Sequence, residues 1–232
     1  MGLAALGKGA GCEALTGGEQ GFAARIDKTA RDKLVEFLAL LVHWNRTYNL
    51  TAIRDPSEMV SRHLLDSLAV LPWIVRGPVL DAGTGAGLPG IPLAVARPDL
   101  RFTLLDGNGK KARFVRQAAL ELELDNVEVV HSRLDAYRPG PKFATITARA
   151  VGSLAVLLAD CAHLAAPYAR LLALKGRLPK QEIEALAASA PRIAAALGSP
   201  VLTSVAVHPL QVPQLDGERN LIEIPFQTSS HG

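Results

Sequence analysis

Val79-Leu80-Asp81-Ala82-Gly83-Thr84-Gly85-Ala86-Gly87-Leu88-Pro89-Gly90 reads as a short apolar strand that ends in an acid and runs straight into a glycine loop. Junctions of this kind hold nucleotide cofactors, because glycine lets the backbone approach a ligand with no Cβ in the way and adopts positive φ where the turn needs it. Spacing narrows the choice of cofactor. A dinucleotide fingerprint requires G-x-G-x-x-G, whereas Gly83, Gly85 and Gly87 alternate and Leu88 stands at the last glycine position. NAD is thereby disfavoured, and Asp81, Gly83, Thr84, Gly85, Gly87 and Leu88 become candidate cofactor contacts.

Downstream of this loop, strands and helices alternate, the pattern of a parallel sheet with crossover helices on both faces. Strands are expected at Val79 to Asp81, Phe102 to Asp106, Val127 to His131, Thr145 to Thr147 and Arg170 to Leu174. Helices are expected from Ile91 to Ala96, Lys110 to Leu122, Ser153 to Leu164 and Pro179 to Leu197. Two closing strands, Val201 to Val207 and Asn220 to Ile224, have no helix between them and should pair antiparallel. That finish, with an Asp two residues before G-x-G-x-G, resembles the S-adenosylmethionine-dependent methyltransferases with a doubly wound α/β (Rossmann-like, class I) domain.

Ligands of doubly wound sheets lie at the carboxyl ends of the strands, so residues that end strands are the candidates. Asp106 closes the second strand, where a carboxylate can accept both ribose hydroxyls of an adenosine. Leu134 and Asp135 follow the third strand, where an apolar side chain can flank adenine and a carboxylate can take its amino group. Arg149 ends the fourth, beside the place for a methyl acceptor, and is the candidate catalytic residue. No Pro-Cys nucleophile and no Asx-Pro-Pro-aromatic loop occurs at these strand ends. A ring nitrogen remains open as acceptor, and guanine N7 needs no general base.

Upstream, a helix is expected from Asp27 to Asn45, with Leu34, Leu38, Leu41 and Tyr48 at helical spacing and Trp44 alongside. Asp55-Pro56-Ser57-Glu58 then supplies a cap, a proline at the first helical position and an acid three residues past the cap. The second helix places Met59, Leu64, Leu65 and Leu68 in the core and leaves Arg62, His63, Asp66 and Ser67 as a polar cluster. The expected organisation is a disordered tail over residues 1–24, a helical extension over 25–75, a methyltransferase domain over 76–226 and a short tail over 227–232.

The chain has 232 residues, 49% hydrophobic and 20% charged, which is ordinary for a globular fold. Its net charge of +3 and pI near 9.0 suit a polyanionic partner. No apolar run is long enough to span a membrane, so a cytoplasmic protein is expected. Two cysteines without paired spacing and six histidines without an i,i+4 pair suggest free thiols and no metal.

Taken together, Asn49-Leu50-Thr51, Arg62-His63-Leu64-Leu65-Asp66-Ser67-Leu68, the Asp81 to Pro92 loop, Asp106-Gly107-Asn108-Gly109-Lys110-Lys111, Arg149-Ala150-Val151, Leu174-Lys175-Gly176 and Leu215-Asp216-Gly217-Glu218-Arg219 resemble the RsmG family, formerly the glucose-inhibited division protein B family. The resemblance runs from about Asp27 to Ile224. It implies transfer of a methyl group from S-adenosylmethionine to guanine N7 in a loop of 16S small-subunit ribosomal RNA. It also implies that Gly83, Leu88, Leu134, Asp135 and Arg149 line the donor site, and that the Arg62 to Asp66 cluster closes the site or meets RNA. Asn49, Arg62, His63, Asp66, Lys110, Lys111, Lys175 and Arg219 are the RNA candidates. Family members often carry Asp and Ser where this chain has Ala144 and Ala148. The competing readings are a methyltransferase of the same fold acting on protein or a small molecule, an RNA-binding module without donor, and a nicotinamide oxidoreductase.

Overall fold

The computed structural model describes residues 26–186, 188 and 205–226. The expected tails at 1–24 and 227–232 lie outside the described residues. Helix α1 spans Lys28–Tyr48. It starts where the Asp27 carboxylate accepts from the Ala30 amide at 2.8 Å and stops at Asn49, whose left-handed backbone (φ 50°) forms the C-cap. Its buried stripe is Leu34, Phe37, Leu38 and Leu41, the i, i+3, i+4, i+7 pattern of one helix face. The stripe then continues through the polar Asn45 rather than Trp44, which instead stacks on Tyr48 with ring centroids 5.2 Å apart.

Asp55 caps α2 (Pro56–Met59) through the Ser57 amide, with proline at the first turn as the sequence predicts. The continuation is not a regular α-helix. Val60–Leu65 is π-helical, followed by the short α3 (Asp66–Leu68). His63, Asp66 and Ser67 are buried along with Leu64, Leu65 and Leu68. Of the expected polar cluster, His63, Asp66 and Ser67 therefore turn inward and only Arg62 stays exposed, because the wider π turn shifts which residues meet the protein.

Seven strands form one sheet in the order β3-β2-β1-β4-β5-β7-β6. They are β1 (Val79–Ala82), β2 (Phe102–Asp106), β3 (Val127–His131), β4 (Phe143–Arg149), β5 (Ala165–Lys175), β6 (Ala206–Pro209) and β7 (Asn220–Pro225). The first five are parallel, and β7 pairs antiparallel with both β5 and β6. β5 begins at Ala165, well before the expected Arg170; Pro167 and the left-handed Tyr168 (φ 58°) break the strand pattern over its first residues, so the sequence shows only the later part. Residues 201–204 of the expected closing strand lie outside the described residues; the rest of that strand begins at Ala206. Of the expected 179–197 helix, residues 180–186 are helical and most of the remainder lies outside the described residues.

The crossover helices are α4 (Gly90–Ala96), α5 (Gly109–Glu121) and α6 (Leu154–Ala162). Two apolar clusters cover the two faces. One joins α1 to α3 with α4, α5 and Phe102, the other joins α6 to β4, β5 and β7. Phe114 of α5 holds the N-terminal helices in place, with ring centroids 6.3 Å from Phe37 and 5.7 Å from Trp44. The carboxyl ends of β1, β2 and β4 thus share one edge, with α1 to α3 beside it. Among the described residues no helix is long and apolar enough to cross a membrane, and no His, Cys, Asp and Glu cluster could hold a metal ion.

Candidate active site

Asp81 is completely buried at the end of β1. Its carboxylate accepts from the Gly90 amide at 2.9 Å and from the hydroxyl of Thr147, its neighbour in register on β4, at 2.9 Å. Burial raises its pKa, and the hydroxyls of Thr84 and Thr147, the Gly90 amide and the Arg149 charge pull the other way. Asp81 therefore holds the glycine loop from behind. The sequence makes Asp81 a candidate cofactor contact; its side chain has no exposed surface and stays outside the cleft lining.

The three alternating glycines also divide their work, although all have positive φ. A Cβ at Gly83 would come within 2.7 Å of Val151 Cγ2, and one at Gly87 within 2.8 Å of Ile91 Cγ1. Those two admit neighbouring side chains. A Cβ at Gly85 would meet nothing nearer than the Gly83 carbonyl at 3.9 Å, so Gly85 is bare backbone facing open space.

That space is a cleft of about 530 Å³, the size of a small-molecule site. Its walls include Leu50, Thr51, His63, Gly83, Thr84, Gly85, Ala86, Leu88, Asp106, Lys111 and Arg149, with residues 150–152 at one rim. Asp106 bridges the floor. One of its oxygens accepts from the Gly85 amide at 2.8 Å and the other from the Asn108 amide at 2.7 Å, and each retains capacity for a further donor.

A second wall is built from side chains. The guanidinium of Arg149 donates from Nη1 to Asp66 Oδ2 at 3.1 Å and to the Arg62 carbonyl at 3.3 Å. Arg219, from the segment entering β7, donates from Nε to Asp66 Oδ1 at 3.0 Å. One buried carboxylate therefore serves two arginines. Beside them, the Nδ1 of His63 lies 3.1 Å from the Arg62 carbonyl and its Nε2 3.0 Å from the Thr51 hydroxyl. A carbonyl only accepts, so Nδ1 carries the proton and Nε2 accepts from Thr51. Burial and the Arg149 charge push the pKa of His63 down to about 4. Asn45 fixes Thr51 by accepting from its amide at 2.9 Å.

Of the residues named from the sequence, Gly83, Thr84, Gly85, Leu88, Asp106, Lys111, His63 and Arg149 meet in this cleft. Asp66 and Arg219 stand one layer behind Arg149. Leu134 and Asp135 lie on the loop after β3, outside the cleft lining; Leu134 packs on the core and both Asp135 oxygens are taken by Arg133. Asn49 is the α1 cap and accepts from Arg54. Lys175 is drawn to Glu182 at 2.9 Å and the Gly152 carbonyl at 3.1 Å. Lys110 is exposed on α5, and Arg62 pairs with Glu58 at 3.2 Å. Sequence reading missed Asn45, Thr51 and Thr147 as site-building residues; a lone Asn in the apolar stripe of α1 was the available signal.

The cleft fits S-adenosylmethionine: bare backbone at Gly85, a carboxylate acceptor at Asp106, apolar Leu50 and Leu88, and the cations Lys111 and Arg149. A 3-2-1-4-5-7-6 sheet with such a cleft at its carboxyl edge defines a class I S-adenosylmethionine-dependent methyltransferase. Solved structures agree on the fold. Magnesium protoporphyrin IX methyltransferase from Synechocystis PCC 6803 with bound SAM superposes with a TM-score of 0.56 at 16% identity, covering 82% of this chain and 97% of that one. A methyltransferase from Geobacter sulfurreducens gives 0.55 at 16% identity, covering 82% and 90%. The family model GidB, rRNA small subunit methyltransferase G, matches residues 30–196. Ribosomal RNA small subunit methyltransferase G of Xanthomonas axonopodis pv. citri is 50% identical over 207 residues, covering 89% of this chain and 92% of the relative. That of Alkalilimnicola ehrlichii is 46% identical over 209 residues, covering 90% of each. The chain belongs to the rRNA small subunit methyltransferase G family, and is an S-adenosylmethionine-dependent methyltransferase of ribosomal RNA.

Proposed function

We propose that the protein methylates N7 of a guanine in a loop of 16S ribosomal RNA, in the cytoplasm, with residues 25–75 as an extension that completes the catalytic domain over 76–226. The observation that carries the choice of atom is the state of the groups that could act as a base. His63 has its pKa pushed down to about 4 and its Nε2 is occupied by Thr51, while both Asp106 oxygens hold amides. An exocyclic amine or hydroxyl must shed a proton during methylation, and His63 so held is poorly prepared to take it. Guanine N7 sheds none: its lone pair forms the new C–N bond as the S–CH₃ bond breaks, and the positive charge passes to the base.

S-adenosylmethionine, when bound, supplies the sulfonium-activated methyl group. Gly83, Thr84, Gly85 and Leu88 give it backbone and apolar contact, and Asp106 faces its ribose. Leu134 and Asp135 remain the proposed adenine contacts. Arg149, with Nε and Nη2 unpartnered among the described residues, presents a fork to an anionic group of donor or acceptor. Lys110, Lys111 and Arg113 form the RNA-facing strip beside the cleft, with Arg62 across from it. Catalysis then rests on alignment and electrostatics rather than proton transfer.

The test is to incubate the protein with labelled S-adenosylmethionine and small subunits lacking the modification, then map the label by reduction and aniline cleavage. Cleavage at one labelled guanine is expected. Label in protein, or on an exocyclic amine, would overturn the reading.

A further inference from the structure

We propose that Asp66 is a positioning residue, which holds the Arg149 fork at the angle that methyl transfer requires while cancelling the second cation, Arg219. Three separated stretches of chain meet here: Asp66 opening α3 just after the π turn, the end of β4 and the residue before β7. The Asp66 side chain is only 10% exposed and spends one oxygen on each arginine, at 3.1 and 3.0 Å. The adjoining π turn adds the Arg62 carbonyl as a second acceptor for the same Nη1 of Arg149. Both contacts fall on that one nitrogen, so the rest of the guanidinium stays available to the cleft. Arg219 is fixed in turn by the Glu218 carbonyl at 2.8 Å.

Stoichiometry gives the cluster its meaning. Two guanidiniums share one carboxylate, which leaves a net positive charge on this wall, and Arg149 is the member that lines the cleft. A carboxylate serves both arginines because each oxygen accepts. An amide has one acceptor and one donor, so asparagine at this position must release an arginine and point N–H groups at it.

The inference rests on the proposed role of Arg149. It is tested with Asp66→Asn, Asp66→Glu, Arg149→Ala and the double variant Asp66→Asn/Arg149→Ala in single-turnover methylation of unmodified small subunits at saturating donor. Asp66→Asn should lose about tenfold or more in rate, the size of a charge-assisted bond, with donor and RNA dissociation constants nearly unchanged. Asp66→Glu should recover part of the rate. In the Arg149→Ala background, Asp66→Asn should cost nothing further, since residues that act as a unit are not additive. Full turnover by Asp66→Asn, or a rate loss that adds undiminished to that of Arg149→Ala, overturns the proposal. If Asp66→Asn does not fold, the Asp66→Glu rate and its coupling to Arg149→Lys decide in the same way. Total methyl incorporation into RNA is the readout, so the outcome is independent of which guanine atom is modified.

Discussion

The two walls of the cleft are made of different material. The glycine-loop wall is backbone from consecutive residues, Gly83 to Leu88, braced by Asp81 and Asp106. The second wall presents the side chain of Arg149, held from behind by Asp66, which lies 83 residues from Arg149 and 153 from Arg219 along the chain. Substitutions on the first wall should therefore act through shape and donor binding, and those on the second through charge and turnover.

The sharpest break of the first wall is Gly85→Val. Its Cβ enters open cleft at φ +59°, a conformation costing a β-branched residue on the order of 1–3 kcal/mol. Calorimetry should detect no S-adenosylmethionine binding, while circular dichroism stays native; near-native affinity would detach the loop from the donor. Gly90→Ala strikes the same wall from behind. The new Cβ would lie 2.2 Å from Leu104 Cδ2 and 2.6 Å from Asp81 Oδ2, so thermal unfolding should show a loss of about 3 kcal/mol, the upper range of overpacking. An unchanged melting temperature would show that the Asp81 brace yields freely.

The second wall carries a pH signature through His63. With a folded pKa of about 4 against the ordinary histidine value of 6.5, the unfolded chain binds more protons between those values. Stability is then complete above the upper value and falls as pH drops toward the lower one, by up to about 3 kcal/mol. His63→Gln should flatten the melting-temperature profile in that window, and an equal slope in both proteins would place the titration elsewhere. The smallest effect belongs to the rim. Lys110→Ala should weaken RNA binding several-fold and reduce the salt slope by about 1, leaving saturated turnover intact. A loss confined to turnover would move Lys110 into the reacting site.

The contrast between walls also explains what was legible. The glycine loop is local, and its spacing alone separates one cofactor class from another. Strands β2 and β3 were bounded correctly from their apolar runs. A strand-ending acid before a glycine loop looks the same in sequence whether it faces ligand or braces the turn; the brace at Asp81 is visible only through its register with Thr147. The Arg62 to Asp66 cluster is legible as polar, but the burial of His63, Asp66 and Ser67 is not, because helical periodicity assumes α geometry and the π turn breaks it. Lys175 and Arg149 are both cations ending strands, yet Lys175 is neutralised by Glu182 while Arg149 shares its carboxylate with Arg219. Glu182 is only seven residues from Lys175, whereas Asp66 is 83 residues from Arg149 and 153 from Arg219, and partners that far along the chain leave no mark in local pattern.

The division of labour between the walls is tested most directly by Arg149→Ala and Arg149→Lys in single-turnover methylation at saturating donor, alongside donor and RNA dissociation constants. Arg149→Ala should lower turnover by about tenfold to a hundredfold while RNA affinity changes by less than about twofold, because phosphate contacts are spread over other cations. Arg149→Lys should fall between wild type and alanine, keeping the charge without the planar fork. Normal turnover by Arg149→Ala once both ligands saturate would contradict the account and leave the backbone wall as the sole seat of catalysis.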